Sequence, residues 1–375
     1  MTIAVPDETR ARAYGRARRR IARATTAVRL VLVVLAALAG QRLARDLDVP
    51  GALVFDVVVY TAVLGAALEL GLLPFDYARY RLSRRAGISR QRLVGWLVDL
   101  LKASLLGLVF ATIAVTLLVW LVRIEPRWWW AIAAVAAIVF ELALTTVAPV
   151  LLVPLFLRSR PLAAGSLRDD LLALAGSAGV SISTVRVLES GEKSASANAA
   201  VVGLGPTRRI LLTDTLTGDE TVAGAASIAE TRAVLGHELG HHRALDIWRF
   251  ALAGAASTFA SLGVAAWIVD RLPDWLAHGG PRTLAGLPAL ALCLALTGLP
   301  GTLAIAAYSR RRERAADAFG VEVAGDGDAF ARALEHLCET NLAERWPPRI
   351  EQLRSSHPAP GERIAQARDR EAVHD

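Results

Sequence analysis

Residues 227–269 read SIAETRAVLGHELGHHRALDIWRFALAGAASTFASLGVAAWIV, a charged segment that runs directly into twenty uncharged residues. Ser227 and Glu230 form an S-x-x-E capping box, and no proline or β-branched run follows before Arg249, so the pattern predicts a helix. On that helix His237 and His241 share one face, with Glu238 beside the first. Two imidazoles so placed can reach one metal ion, and a carboxylate next to them can take a proton from water, which is the layout of a zinc hydrolase. Three fixed positions weigh about as much for a chance helix surface as for a metal site. Gly236 and Gly240 shift the balance, since each costs about 1 kcal/mol in a helix relative to alanine. Such a cost makes sense where backbone must approach something closely. His242 lies roughly 100° around the helix from His241 and is read as flanking, not ligating.

The surrounding chain is that of a membrane protein. It has 375 residues, of which 54% are hydrophobic, and a mean hydropathy of +0.41. Residues 103–122, 250–269 and 283–308 carry no charge and each meets the length of about 20 residues that a spanning helix needs. Residues 50–73 and 128–157 qualify with Asp56, Glu69 and Glu141 inside them, and residues 24–43 make a sixth span if Arg29 and Arg42 snorkel. Each internal carboxylate would cost about 2.5 to 3.5 kcal/mol against lipid, so all three are expected to face protein or water. Seven arginines from Arg10 to Arg23 precede the first span, and seven basic residues from Arg79 to Lys102 separate the second from the third. The opposite loops hold only Arg42 and Arg45, then Arg123 and Arg127, then Arg271 and Arg282. This bias places both termini and the HELGH segment in the cytoplasm, with the arginine-rich start read as preceding an uncleaved first anchor. The basic residues track span ends and are not interleaved with aromatics, which argues against nucleic-acid binding. Cys293 and Cys338 are the only cysteines, too few for a disulfide framework or a cysteine metal site. The excess of arginine over lysine and the many alanines suggest a bacterial membrane.

Between the fourth and fifth spans the pattern predicts a helix over residues 167–178 ending at Gly179, and strands over 184–188, 196–202 and 209–212. The expected architecture is an α-helical multi-span membrane protein with a small α+β zincin-like catalytic domain inserted between spans. Its parts are a basic tail (1–23), spans one to four (24–157), the α+β segment with the HExxH helix (158–249), spans five and six (250–308) and a C-terminal segment (309–375).

Two histidines and a water leave a tetrahedral zinc one ligand short. The extended pattern HExxHxxGxxH is excluded, because Asp246 and Ile247 stand where its last ligand would fall. The best candidate is Glu313, which with Asp317 lies on one helix face, so that one carboxylate can bind metal while the other orients an imidazole. The competing reading is a solvated helix paired with Arg310, Arg311, Arg312 and Arg314.

With these residues the chain resembles the CAAX prenyl protease 1 family of integral-membrane zinc metallopeptidases, in which an HExxH helix is followed, after further spans, by ExxAD. Glu313 and Asp317 stand at that motif. The resemblance extends to Pro74-Phe75, Tyr77, Arg84, Gly87, Trp96, Asp99 and Lys102, to Pro149, Pro154-Leu155-Phe156 and Pro161-Leu162, to Asn198-Ala199, Gly203, Arg209-Ile210-Leu211 and Asp214-Thr215-Leu216, and to Ser356-His357-Pro358 and Glu362-Arg363-Ile364. It implies one zinc ion held by His237, His241 and Glu313, with Glu238 as general base and Asp317 as an orienting or acid group. It further implies His357 and Arg363 as oxyanion stabilisers, and Asn198 and Ala199 as substrate-binding positions on an edge strand. Ala200 stands where that family usually has an aromatic, and six spans are counted where it commonly has seven around a water-filled chamber. The implied activity is hydrolysis of peptide bonds in membrane-associated or CAAX-type lipidated proteins. Rival readings are a quality-control membrane protease of the HtpX type, whose chains have fewer spans before the motif, and a silent membrane scaffold.

Overall fold

The computed structural model describes residues 8–46, 53–203, 205–217 and 226–374; residues 1–7 of the basic tail and the start of the second span at Pro50 lie outside them. The chain opens with α1 (Glu8–Asp46), α2 (Leu53–Arg85), α3 (Leu93–Ile124) and α4 (Trp129–Leu151), then the short α5 (Val153–Phe156). An insert follows: β1 (Ser159–Pro161), α6 (Ser166–Ser177), β2 (Thr184–Leu188), β3 (Ala199–Val202), β4 (Arg209–Thr213) and α7 (Asp214–Thr217). The HELGH helix is α8 (Ile228–Arg243), followed by α9 (Asp246–Val269), α10 (Asp274–Ala277) and α11 (Leu287–Ala324). The C-terminal segment forms α12 (Gly327–Asn341), α13 (Arg349–Arg354) and α14 (Pro360–His374).

Among the described residues six helices are long and apolar enough to cross a membrane, α1, α2, α3, α4, α9 and α11. Four of them run well past their apolar stretches, α1 and α11 the furthest. α1 starts at Glu8, and α11 continues beyond residue 308 to Ala324, where Gly325 takes a φ of 70° and ends it. Pro300 stands inside α11, and after Gly301 no glycine or proline follows before Gly320, so the end of the sixth span runs without a breaker into the segment bearing Glu313 and Asp317. With six crossings in alternation, the 86–92 loop, the insert and the C-terminal segment all lie at the same end of the bundle.

The insert's sheet has the order β1-β2-β4-β3, with β2 parallel to β4 and the other pairs antiparallel, so β3 is an edge. Val185 and Val187 alternate inward along β2. With Ile210 and Leu212 of β4, Leu171 and Leu174 of α6, and Leu235 and Leu239 of α8, Val185 closes the insert's core. The capping box forms: Ser227 Oγ accepts from Glu230 N at 3.2 Å, and Glu230 Oε2 accepts from Ser227 N at 2.7 Å. The insert is fastened to the spans through Lys193, whose Nζ lies 2.5 Å from Asp99 of α3 and 2.8 Å from the Phe156 carbonyl. Of the internal carboxylates, Asp56 is buried, Glu69 accepts a hydrogen bond from Ser104 of α3, and Glu141 faces a cavity beside β3.

Two helices cross closely at the centre of this assembly. A Cβ on Gly320 of α11 would lie 2.7 Å from the His237 backbone nitrogen and 3.0 Å from its Cα. A Cβ on Gly236 would meet the Gly320 carbonyl oxygen at 2.9 Å, and one on Gly240 would meet Phe319 and Ala316 at 3.1 and 3.2 Å. The glycines beside His237 and His241 thus admit α11 against the HELGH helix. Gly320→Val should separate the pair, destabilise the protein by about 1 to 3 kcal/mol and reduce bound metal. The control is Gly176→Ala, where nothing lies within 4 Å of the added methyl; it should leave both thermal midpoint and metal content at or above those of the parent.

Candidate metal centre

The helix crossing sets His237 and His241 of α8 against Glu313 of α11. His237 Nε2 is 3.5 Å from Glu313 Oε2, and His241 Nε2 is 3.4 Å from Glu313 Oε1. The ligand-type atoms of the three residues all lie within 4.8 Å of one another. Glu313 is 5% exposed, and its Oε2 is buried with no hydrogen-bond partner. A buried carboxylate oxygen without a donor, facing two imidazole nitrogens, is a costly arrangement that a cation resolves. The donor set of two nitrogens and one carboxylate fits a divalent metal.

Carboxylates hold both imidazoles from behind. Asp317 Oδ1 is 2.7 Å from His237 Nδ1, and Asp246 Oδ2 is 2.8 Å from His241 Nδ1. Each Nδ1–H then donates to a carboxylate, which fixes the tautomer and leaves the Nε2 lone pair for a metal. The carboxylates are in turn neutralised. Arg363 of α14 forks onto Asp317 with contacts of 2.8 and 2.6 Å, and Arg312 of α11 places Nε 2.7 Å from Asp246. Phe330, fully buried on α12, stacks against the His237 ring at 6.1 Å and lies under the Arg363 guanidinium.

Of the residues singled out by sequence, Asp317, His357 and Arg363 join the three ligand-type residues and Glu238 stands beside His237, whereas Asn198 and Ala199 lie at the edge strand. Glu238 is half-buried next to His237 on α8 and has no hydrogen-bond or ion-pair partner among the described residues. His357 is exposed, with Nε2 3.4 Å from Glu313 Oε1. Its loop is set by Arg310 of α11, which donates to the Leu353 and Ser355 carbonyls. Asn198 immediately precedes β3. Because Thr213 N donates to the Asn198 carbonyl, the antiparallel register turns the backbone groups of Ala199 and Val201 toward the open edge. There Asn198 Oδ1 accepts from Ala199 N at 2.9 Å, and His242 Nε2 lies 2.9 Å from the Val201 carbonyl. His242, read as flanking, ties the edge strand to the HELGH helix.

Asp246 is the residue that sequence reading missed, noted only as breaking an extended histidine pattern. It is 2% exposed and opens α9 two residues after α8 ends, behind Leu245 in the left-handed conformation. The available signal was an acidic residue five positions after His241, at the mouth of an apolar span.

Two outcomes follow for the isolated protein. Glu313→Ala should lose most of its metal, whereas Asp246→Asn should weaken metal affinity by about 10- to 100-fold with the fold intact, both read by elemental analysis and competitive chelation. In chelator-stripped protein, burial lowers the His241 pKa but hydrogen bonds to Glu313 and Asp246 outweigh it, and the pKa is pushed up to about 9 from 6.5. Protonated His241 therefore stabilises stripped protein fully below about pH 6.5, and that contribution fades as pH rises through about 9. Metal binding near neutral pH should release a proton, seen as a dependence of binding heat on the buffer's ionisation enthalpy.

Comparison with known proteins agrees with this geometry. The profile of peptidase family M48 matches residues 161–371, and one described as "CAAX prenyl protease N-terminal, five membrane helices" matches residues 4–158. Within those N-terminal residues the described part of the chain has four helices long enough to span. An "Uncharacterized metalloprotease YhfN" of Bacillus subtilis is 28% identical over 323 residues, covering 84% of this chain and 74% of its own length. A "CAAX prenyl protease 1 homolog" of Caenorhabditis elegans is 27% identical, covering 79% of this chain and 73% of its own. The crystal structure of S. mikatae Ste24p superposes with a TM-score of 0.78 at 21% identity, covering 96% of this chain and 87% of that one, so the fold is shared. The chain belongs to peptidase family M48 and is a multi-span integral-membrane metallopeptidase.

Proposed function

We propose that this protein is a zinc endopeptidase whose site faces the cytoplasm and which cleaves peptide bonds in membrane-associated substrates, CAAX-type lipidated proteins among them. The convergence of two imidazole Nε2 atoms on a buried Glu313 carboxylate with an orphaned oxygen carries the reading. The two histidines and Glu313 would hold one zinc ion, which when bound polarises a peptide carbonyl and acidifies water. Glu238, free of other partners, takes a proton from the attacking water and passes it to the leaving amine. Asp317 and Asp246 keep the two imidazoles in the ligating tautomer, and Arg363 offsets the charge of Asp317. The exposed His357 supplies a hydrogen-bond donor to the developing oxyanion, with Arg363 adding positive potential. At the open edge of β3, the Ala199 carbonyl and the Val201 N–H pair with an extended substrate and fix its scissile bond, while Asn198 holds the strand's first residue.

The cytoplasmic orientation is supported by the arginine bias between the two sets of loops. The lipidated substrate class is supported by relatives named CAAX prenyl protease 1. Glu238→Gln should retain stoichiometric metal and lose peptide hydrolysis by a factor of about 100 to 10,000. His357→Ala should lower kcat by about 100- to 1,000-fold with KM little changed. Undiminished turnover in Glu238→Gln would remove the general base. Cleavage of a farnesylated CAAX peptide against its unlipidated twin, together with membrane proteomes of parent and Glu238→Gln cells, identifies the substrate class.

A further inference from the structure

A cavity of about 360 Å³ lies between the end of β3, α4 and α9. Its walls include Val201, Val202 and Gly203 of the edge strand region, Ile247 and Phe250 of α9, and Glu141 of α4. Glu141 is the only charged residue among those lining it. The residue is exposed overall, and its carboxylate lies over the α9 backbone, 3.7 Å from where a Cβ on Gly254 would stand. It has neither a hydrogen-bond nor an ion-pair partner among the described residues. A carboxylate in the middle of an apolar span is costly to keep, and among the described residues no cation pairs with it. The rest of the cavity is suited to an aliphatic stem, with Ile247, Phe250 and Val201 forming its sides.

Resting on the peptidase reading above, we propose that this cavity is a specificity subsite for a basic substrate side chain, with Glu141 as its counter-ion. Three features meet there. The cavity adjoins the strand along which an extended peptide would pair, so a side chain of that peptide falls into it. The pocket lining is mostly apolar with one acid, the combination that takes the aliphatic stem and charged head of a lysine or arginine. Glu141 touches no residue of the metal centre, so it selects among substrates without taking part in bond cleavage.

The test uses full-length protein in detergent with a fluorogenic peptide that it cleaves. Lysine is scanned one position at a time through the four residues on each side of the scissile bond, against a matched norleucine series. For the parent, lysine should be favoured at one position by about tenfold in kcat/KM over norleucine. Glu141→Gln should bring that ratio close to one, and Glu141→Lys should replace the preference by one for glutamate at the same position. The ratio does not depend on how much of a variant folds. Equal losses on lysine and norleucine peptides, or no favoured position in the parent, would overturn the subsite. A parent that cleaves norleucine peptides without preference leaves the peptidase reading standing, whereas one that cleaves no peptide overturns both.

Discussion

The metal centre depends on the contact of two helix backbones. Gly236 and Gly240 on α8 meet Gly320, Ala316 and Phe319 on α11 at distances where an added methyl would force the helices apart. That approach brings the Glu313 carboxylate within 3.5 Å of two imidazoles that ordinary helix packing would hold farther away. The same α11 is the sixth membrane helix, so one continuous helix that starts in the membrane carries one ligand to a site otherwise built by a domain outside it. Insert and bundle cannot shift relative to each other without dismantling the donor set.

Burying this much charge is tolerable because it alternates in sign. Arg363, Asp317 and His237 form one chain leading to Glu313, and Arg312, Asp246 and His241 form the other. Each interior carboxylate behind a histidine is paired on both sides, which is the condition under which buried ions persist. Helices from four regions supply the members: α8, α9, α11 and α14. Losing Arg363 would leave Asp317 without its arginine and loosen the imidazole in front of it, whereas Asp246 keeps a second contact with Arg249 at 3.4 Å if Arg312 is lost.

The bundle also shapes what reaches the metal. β3 ends a four-stranded sheet, and His242 of α8 meets the Val201 carbonyl at its open edge. α4 and α9 line a cavity at its far end, so a peptide that pairs with the strand as proposed would lie partly among the membrane helices. Arg310 and the Leu353–Ser355 carbonyls seat the loop that carries His357 over the opposite side.

Much of this was readable in one dimension because its signals are local. The helix of HELGH follows from a capping box and a four-residue spacing, the spans from uninterrupted apolar length, and the sheet strands from alternation between turn residues. The glycines at 236 and 240 even announced a close approach, since a helix bears them only at some cost. What they approach was not readable, because Gly320 lies eighty residues away and across two spans. Asp246 was passed over for a related reason: a left-handed Leu245 reverses the chain between two helices, and only that turn swings the carboxylate back to His241. The pairing of Arg363 with Asp317 likewise required α14 to fold against α12 beneath the site. Sequence by itself determined which residues could bind a metal and cross a membrane, since these rest on residue chemistry and periodicity. Only the tertiary structure shows which carboxylate stands against both imidazole Nε2 atoms and which lie behind the Nδ1 atoms, because that depends on which atoms the helix crossing brings within hydrogen-bonding distance.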